Sequence, residues 1–497
     1  MKNIFKSIHQ DKLAAFLFWI VFALTFLPRF FYIKMGLPHY SIDENDIVEF
    51  ALGYLGGDLD PHWYKYGPLY SYLLSLVFKI QSFFYSGNLN DFAHHYFQDS
   101  TNFYYSARFL NSLIHIALAF LSYAITFKFL SKKAAPFALI IGLVPFADSL
   151  TNNTIRVDSL LALNLSLALY FILHLFRKEK TKWYILTGLF VGFAFGTKPL
   201  PSLMILPAIY LAWFLATFKA THFSLVNIVE HFLKSFINLR LYLLVISIVL
   251  GLFISHPYAL INLMEFISEQ KSVISDDSGF GYTKGYVLSR FFGSLGIPFV
   301  LICTLLLLFG VFFSIKFKKW PLLVLITFMV TYWGAFAGVP ARDYFYIPLL
   351  PILGSIVAYF PFHYKNKFNF SHRYFQIVWG LFFIVFAFKP LETVFQKIKS
   401  FGISSYKLEL SSSIIAEKWI LNNITKNAKL LYYGYYVSLP RLTDPNPNEQ
   451  AQYGEYFMYY RFNNEFLKNR FIGWHNQYLQ NGFPTYDLIY QLNVSKN

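Results

Sequence analysis

The chain has 497 residues, 56% of them apolar and 21% aromatic, with a formal net charge of +16. The apolar residues come in long runs rather than periodic stripes, which excludes a soluble globular domain and marks a polytopic membrane protein. A single cysteine, Cys303, lies inside one of those runs, so an intrachain disulfide and a cysteine metal cluster are excluded too.

The first run, 13–33, follows Lys2, Lys6 and Lys12 and reads as an uncleaved signal anchor. Further spans are expected at 106–130, 134–150, 158–176, 183–197, 200–217, 239–256, 289–314, 321–339, 344–360 and 374–393, eleven in all. Several are shorter than the roughly 20 residues of a full crossing. The expected fold is thus an all-α membrane bundle of about eleven transmembrane helices with interfacial helices beside it.

Basic clusters test that count, because cytoplasmic loops are enriched in Lys and Arg. The clusters are Lys128/Lys132/Lys133, Arg177/Lys178/Lys180/Lys182, Lys219/Lys234/Arg240, Lys316/Lys318/Lys319 and Lys365/Lys367/Arg373. With a cytoplasmic N-terminus all of them fall inside, where the only acids are Asp11, Glu179 and Glu230. The positive charge is therefore a topology signal with lipid headgroups as its partner, and nucleic acid is not implied.

The parity holds only if the apolar run 69–85 is not a span. It follows Gly67-Pro68 and carries Lys79 and Gln81 inside, so it reads as an amphipathic helix on the outer face. Residues 223–238 read as a second interfacial helix, on the cytoplasmic side. The outer loops are then 34–105, 151–157, the turn at Lys198, 257–288 and 340–343. Beyond Pro390 the composition turns polar, which divides the chain into a membrane domain, 1–394, and a small extracytoplasmic α+β domain, 395–497. Dinucleotide and Walker glycine signatures, zinc-protease motifs and the nucleophile elbow are absent from the sequence.

The densest group of acids follows the first span: Asp43, Glu44, Asp46, Glu49 and Asp58. Ser41-x-x-Glu44 fits a capping box, in which case the acids complement a helix N-terminus. A fixed carboxylate there can equally take a proton from an acceptor or hold a divalent metal. Other outer loops add Arg156 and Asp158 at the mouth of a span, a lone cation in Gly196-Thr197-Lys198-Pro199, His256-Pro257, and Arg342-Asp343-Tyr344-Phe345-Tyr346. Each has an ordinary role open to it: Asp158 as a cap, Lys198 and Arg342 snorkelling to headgroups, His256 as an interface histidine. Acids and cations gathered on one side are less easily explained by snorkelling alone.

Asp43-Glu44 after the first span, Asp58, Tyr66-Gly67-Pro68-Leu69, Ala107-Arg108, Arg156-x-Asp158, Gly196-Thr197-Lys198 and Tyr344-x-x-x-Pro348-x-x-Pro351 together resemble the C-type glycosyltransferases. The nearest pattern is that of the protein O-mannosyltransferase family and its bacterial members, including the lipid A aminoarabinose transferases. The resemblance implies an inverting transferase of the cell envelope. It would use a polyprenyl-phosphate sugar as donor and a lipid, glycan or protein as acceptor, on the outer face of a bacterial inner membrane.

On that reading Asp43 is the base, Glu44 its partner and Asp158 a second acid near the acceptor, and a divalent metal, if one is used, would be held by Asp43 and Glu44. Lys198 and Arg342 would meet the donor phosphate, with Arg108, Arg156, Lys271 and Lys284 behind them. The family tyrosine three residues before the proline is Phe345 here, which leaves Tyr344 and Tyr346 as the candidates to reach the phosphate. Residues 275–282 have the Gly and aromatics of a flap over the site. The alternatives are a transporter or flippase of a lipid-linked saccharide without transfer chemistry, and a scaffold whose outer domain binds glycans. Against transport, the sequence has no evident paired repeat.

Overall fold

The computed structural model describes residues 42–85, 92, 101–143, 155–218, 224–279, 297–336, 343–364, 430–432 and 488–490. The expected spans 13–33 and 374–393 lie outside them, as does nearly all of 395–497. From that last region two short strands are described, β1 (Leu430–Tyr432) and β2 (Leu488–Tyr490), paired in parallel.

Everything else described is helical. Helix α1 (Ile42–Leu55) and α2 (Leu69–Tyr85) precede α3 (Thr101–Ile125), which a π-helical turn extends to Leu130. Then come α4 (Ala135–Leu143), α5 (Val157–Ile172), α6 (Thr181–Phe195), α7 (Pro199–Ser202), α8 (Leu206–Thr217), α9 (Leu225–Ser235) and α10 (Leu239–Ser255). The remainder are α11 (Tyr258–Ile261), α12 (Leu263–Gly279), α13 (Ile297–Lys316), α14 (Trp320–Phe336), a 3-10 turn at Asp343–Leu349 and α15 (Leu350–Tyr364). Each span expected between 106 and 360 overlaps helix in the described residues, though parts of 134–150, 289–314 and 321–339 lie outside them and 200–217 is broken by a 3-10 turn at Leu203–Ile205. By length and apolarity, three of the described helices can cross a membrane, or up to four if the bent pair α9 and α10 counts as one span.

Helix α2 departs from its amphipathic reading. Tyr70, Leu74 and Phe78 are buried, whereas Leu76, Ile80, Phe83 and Phe84 are exposed, so both of its faces are largely apolar. Helix α9 likewise exposes Leu225, Val226, Leu233 and Phe236. It is pinned through His231, whose ring stacks on Trp213 at 5.1 Å and whose Nε2 lies 3.0 Å from the Thr217 hydroxyl.

The closest packing in the bundle is between α6 and α10, and it follows from spacing. Gly188, Gly192 and Gly196 recur every four residues, as do Ser247, Gly251 and Ser255, so each set forms one ridge. A Cβ on Gly192 would lie 2.3 Å from the Ile248 carbonyl oxygen, and one on Gly251 2.5 Å from that of Leu189. Backbone touches backbone, so a side chain at either glycine has nowhere to go. Two apolar cores flank this seam. One lies among α3, α5, α6, α8, α14 and α15, and the other joins α1, α2 and α3 to the start of α5.

Candidate functional site

Helix α5 begins beside α1, α3 and the α6–α7 turn, and its first residues organise a polar centre. The backbone N–H of Ile155 donates to Glu44 Oε1 (3.0 Å), and Lys198 Nζ donates to Asp158 Oδ1 (2.9 Å). Ser159 Oγ lies 2.7 Å from His115 Nε2, and Asn164 Nδ2 donates to Thr197 Oγ1 at 3.3 Å. Asp158 sits in the first turn of α5, where the helix dipole favours negative charge.

Glu44 is completely buried and is held in a fork by Arg108, with Nε to Oε1 and Nη2 to Oε2 both at 2.8 Å. A two-pronged guanidinium–carboxylate pair fixes orientation as well as charge. Together with Ile155 it ties α1, α3 and the start of α5 to one carboxylate. Both oxygens of Glu44 already face a cation, so this carboxylate does not fit the expected role of metal ligand. Among the described residues no group of three His, Cys, Asp or Glu is placed to hold a metal ion. The carboxyl group of Asp43 lies outside the described residues. Its backbone belongs to the first turn of α1, next to Glu44.

Lys198 and Asp158 are 7% and 3% exposed. Two rings cover the ammonium, Phe345 at 4.0 Å and Tyr66 at 5.3 Å from their centroids, in cation–π range. The position three before Pro348 therefore does face the cation, as a phenyl ring rather than a phenol. Tyr346 is buried in the same 3-10 turn, and Tyr344 contributes backbone there. Arg156 stands at the cap position of α5, half-buried. Lys271 is exposed on α12. Arg342, Lys284 and residues 280–282 of the expected flap lie outside the described residues, whereas 275–279 continue helix α12 instead of forming a loop.

The turn that carries Lys198 is gripped from two sides. Gly67 N donates to Thr197 O (3.1 Å) and Leu69 N to Gly196 O (3.0 Å), which lays the first loop across the turn. On the other side Ser255 packs on Gly196 and donates to Gly192 O at 3.2 Å.

A further cluster, which the sequence reading did not single out, clamps the same loop to α11 and α12. Asn262 Nδ2 donates to Asp60 Oδ2 (2.9 Å) and to the Tyr64 hydroxyl (2.7 Å), and that hydroxyl donates to Asp60 Oδ1 (2.9 Å). Glu269 accepts from Tyr64 N, and Gln270 Nε2 donates to Tyr64 O. Burial pushes the Tyr64 phenol above its ordinary range. It also raises the Glu269 carboxyl, which the donated Tyr64 N–H partly offsets. Tyr64 stacks on His256, which is fully buried with neither ring nitrogen hydrogen-bonded among the described residues. The one sequence signal for this clamp was the polar spacing Asp58-x-Asp60-x-His62-x-Tyr64, which alone does not say what it meets.

Residues 98–252 match the model of a family described as dolichyl-phosphate-mannose-protein mannosyltransferase. That segment runs from α3 into α10 and contains Arg108, Arg156, Asp158 and Lys198. No curated protein matches the sequence. Among solved structures, the chain is similar to the Archaeoglobus fulgidus oligosaccharyltransferase AglB in complex with an inhibitory peptide and a dolichol-phosphate (TM-score 0.51, 12% identity, 91% of this chain and 60% of that one). The same archaeal enzyme tethered to an acceptor peptide containing the NVT sequon gives 0.52, 14%, 88% and 60%. ArnT from Cupriavidus metallidurans bound to undecaprenyl phosphate gives 0.48, 13%, 93% and 79%. The chain spans less than two thirds of the oligosaccharyltransferase.

The helical fold is similar to that of the archaeal oligosaccharyltransferase. The segment 98–252 is mannosyltransferase-like in sequence, in agreement with the resemblance carried by Arg156-x-Asp158 and Gly196-Thr197-Lys198.

Proposed function

We propose that this protein is an integral-membrane inverting glycosyltransferase that moves a sugar from a polyprenyl-phosphate donor to an acceptor at the outer face of the membrane. The observation that carries this is the Lys198–Asp158 pair, an ammonium and a carboxylate brought together under two aromatic rings where α5, the α6–α7 turn and the first loop meet. The fold adds weight, since the oligosaccharyltransferase it resembles was solved with a dolichol-phosphate.

In the proposed reaction an acceptor hydroxyl attacks the anomeric carbon as the bond to the phosphate oxygen breaks. The hydroxyl proton passes to a carboxylate, and polyprenyl phosphate departs with the bonding electrons. A phosphate leaving group needs no proton near neutral pH, so one base suffices where a glycosidase needs an acid and a base. Lys198 stabilises the charge that gathers on the departing phosphate. Asp43 is the base, and Asp158 stands on the acceptor side. Glu44 holds the first turn of α1 in place through Arg108 instead of taking the proton. Arg342 is the second phosphate contact beside Lys198, with Arg156, Tyr344 and Tyr346 behind them, and Arg108 is held by Glu44.

The test is release of radiolabelled sugar from polyprenyl-phosphate donors by the purified protein, with Asp43→Asn and Lys198→Met as comparators. Turnover in wild type that both variants lose, while remaining folded, supports the reading. Wild-type protein that binds lipid-linked sugar and neither transfers nor hydrolyses it with any acceptor pool refutes it in favour of transport.

A further inference from the structure

Lys198 owes its place to a stack of three backbone layers, and two glycines allow that stack to form. Gly67 of the first loop lies on the Gly196–Thr197 turn, and Gly196 in turn lies on the end of α10 at Ser255. A Cβ on Gly67 would come 2.1 Å from the Gly196 carbonyl oxygen and 2.9 Å from Thr197 N. A Cβ on Gly196 would come 2.0 Å from Ser255 Oγ and 2.4 Å from Ser255 Cβ. Contacts this short force something to move, and the three atoms nearest the Gly67 position are all backbone. The two loop hydrogen bonds, Gly67 N to Thr197 O and Leu69 N to Gly196 O, require the same close approach.

The crossing also brings together two residues adjacent to it, Tyr66 on the first loop and Lys198 on the α6–α7 turn. The ring covers the ammonium only while the loop and the turn touch. We propose that Gly67 and Gly196 are positioning residues for the anion site. Their missing side chains let the first loop and the end of α10 grip the α6–α7 turn, and this seats Lys198 under Tyr66 where a polyprenyl phosphate would meet it. The anion part of this inference rests on the proposed function, whereas the placement of Lys198 does not.

The two glycines make different predictions, because their obstructions differ. Gly67 faces backbone, so no neighbouring substitution relieves Gly67→Ala. Gly196 faces the Ser255 side chain, so Ser255→Gly removes the two nearest obstructions to Gly196→Ala, and the third, the Ser255 carbonyl carbon, is 3.1 Å away. Gly334 in α14 has nothing within 4 Å of its missing Cβ and serves as the control.

The experiment uses the full chain in lipid nanodiscs with two readouts. The first is reductive methylation of lysines followed by peptide mass spectrometry, which reads the shielding of Lys198 without any ligand. The second is titration with undecaprenyl phosphate. Lys198 is expected to resist methylation in wild type and in Gly334→Ala, to react in Gly67→Ala and in Gly196→Ala, and to be shielded again in Gly196→Ala/Ser255→Gly. Affinity for undecaprenyl phosphate should fall about tenfold or more in the two reactive variants, in keeping with the steep cost of about an ångström of misplacement. It should recover in the double variant. A merely destabilised bundle would lower the fraction of protein that binds without changing the affinity of the rest.

Lys198 still shielded in Gly67→Ala, or no recovery on adding Ser255→Gly to Gly196→Ala, overturns the inference. Unchanged affinity in a variant whose Lys198 has become reactive overturns it as well. Wild-type protein that shows the methylation pattern but does not bind undecaprenyl phosphate counts against the proposed function and leaves the placement of Lys198 established.

Discussion

Glu44–Arg108 and Asp158–Lys198 are buried ion pairs within the same polar centre, yet they are built differently. The first is a fork, with two parallel contacts of 2.8 Å and a backbone N–H added from Ile155. The second meets through one carboxylate oxygen, and its cation is a flexible ammonium under aromatic faces. A guanidinium fork is rigid and geometrically specific, whereas an ammonium is a point charge whose donors can turn to a new acceptor. Burial and opposite charge alone would have ranked the two pairs equally. Their hydrogen-bond geometry separates a brace between three helices from a cation suited to receiving phosphate.

The contrast is sharpest in the response to removing one partner. Arg108→Met leaves Glu44 buried without its fork and should cost about 3–5 kcal/mol of stability, read by thermal unfolding in detergent. Replacing both partners, as Glu44→Leu/Arg108→Met, should recover most of that loss, because an apolar pair of similar volume avoids the desolvation of two charges. If the double variant is stable and still turns over, Glu44 takes no part in the chemistry. If it is stable and inactive, the brace and the catalytic carboxylate are the same residue and the contrast collapses.

For the other pair the main effect should be kinetic. Lys198→Met is expected to lower turnover by about 10²–10³-fold, the usual cost of removing one donor aimed at developing charge. A loss of stability matching that of Arg108→Met, with donor binding intact, would make the two pairs the same kind of structure.

The clamp on Tyr64 gives smaller effects. Tyr64→Phe removes the hydroxyl shared by Asp60 and Asn262 and should cost about 1–3 kcal/mol of local stability. Amide exchange over 263–273 reads it, and protection equal to wild type would show that the clamp does not hold α12. The smallest effect follows from the raised Glu269 carboxyl. A folded-state pKa above the unfolded one means that the folded state binds the proton more tightly. The contribution of Glu269 is therefore greatest below its ordinary value of 4.5 and is lost as pH rises through the folded-state value. The protection factors of α12 amides should fall over that window in wild type and stay flat in Glu269→Gln. A fall in both would assign the pH response to another group.

Much of the helical layout was legible because a span is a local property. Runs of apolar residues, prolines at 199, 257 and 348 and basic clusters between them place helices with no knowledge of what they touch. The polar centre was legible only as a set of residues. Asp158 and Lys198 could be assigned to one side of the membrane, but their pairing needs α5 and the α6–α7 turn to be neighbours. Glu44 was the instructive case, since the pattern Ser41-x-x-Glu44 suggested a local cap while the buried carboxylate meets Arg108 from 64 residues away. A sequence carries no mark of which distant cation a carboxylate will find. The glycine seam did carry a signal, the four-residue spacing of Gly188, Gly192 and Gly196 against Ser247, Gly251 and Ser255, and it passes unnoticed when glycines are read only as turn formers.

By itself, then, the sequence determined that the chain has the apolar runs of a membrane protein and where most of its described helices run. Apolar transfer and backbone hydrogen bonding inside a helix depend only on residues near each other in the chain. Only the tertiary structure decided that Glu44 braces, that Lys198 lies against Asp158 under Tyr66 and Phe345, and that two glycines hold it there. Those outcomes depend on distances between segments tens to hundreds of residues apart, which are fixed by close packing across helices and not by the preferences of any one of them.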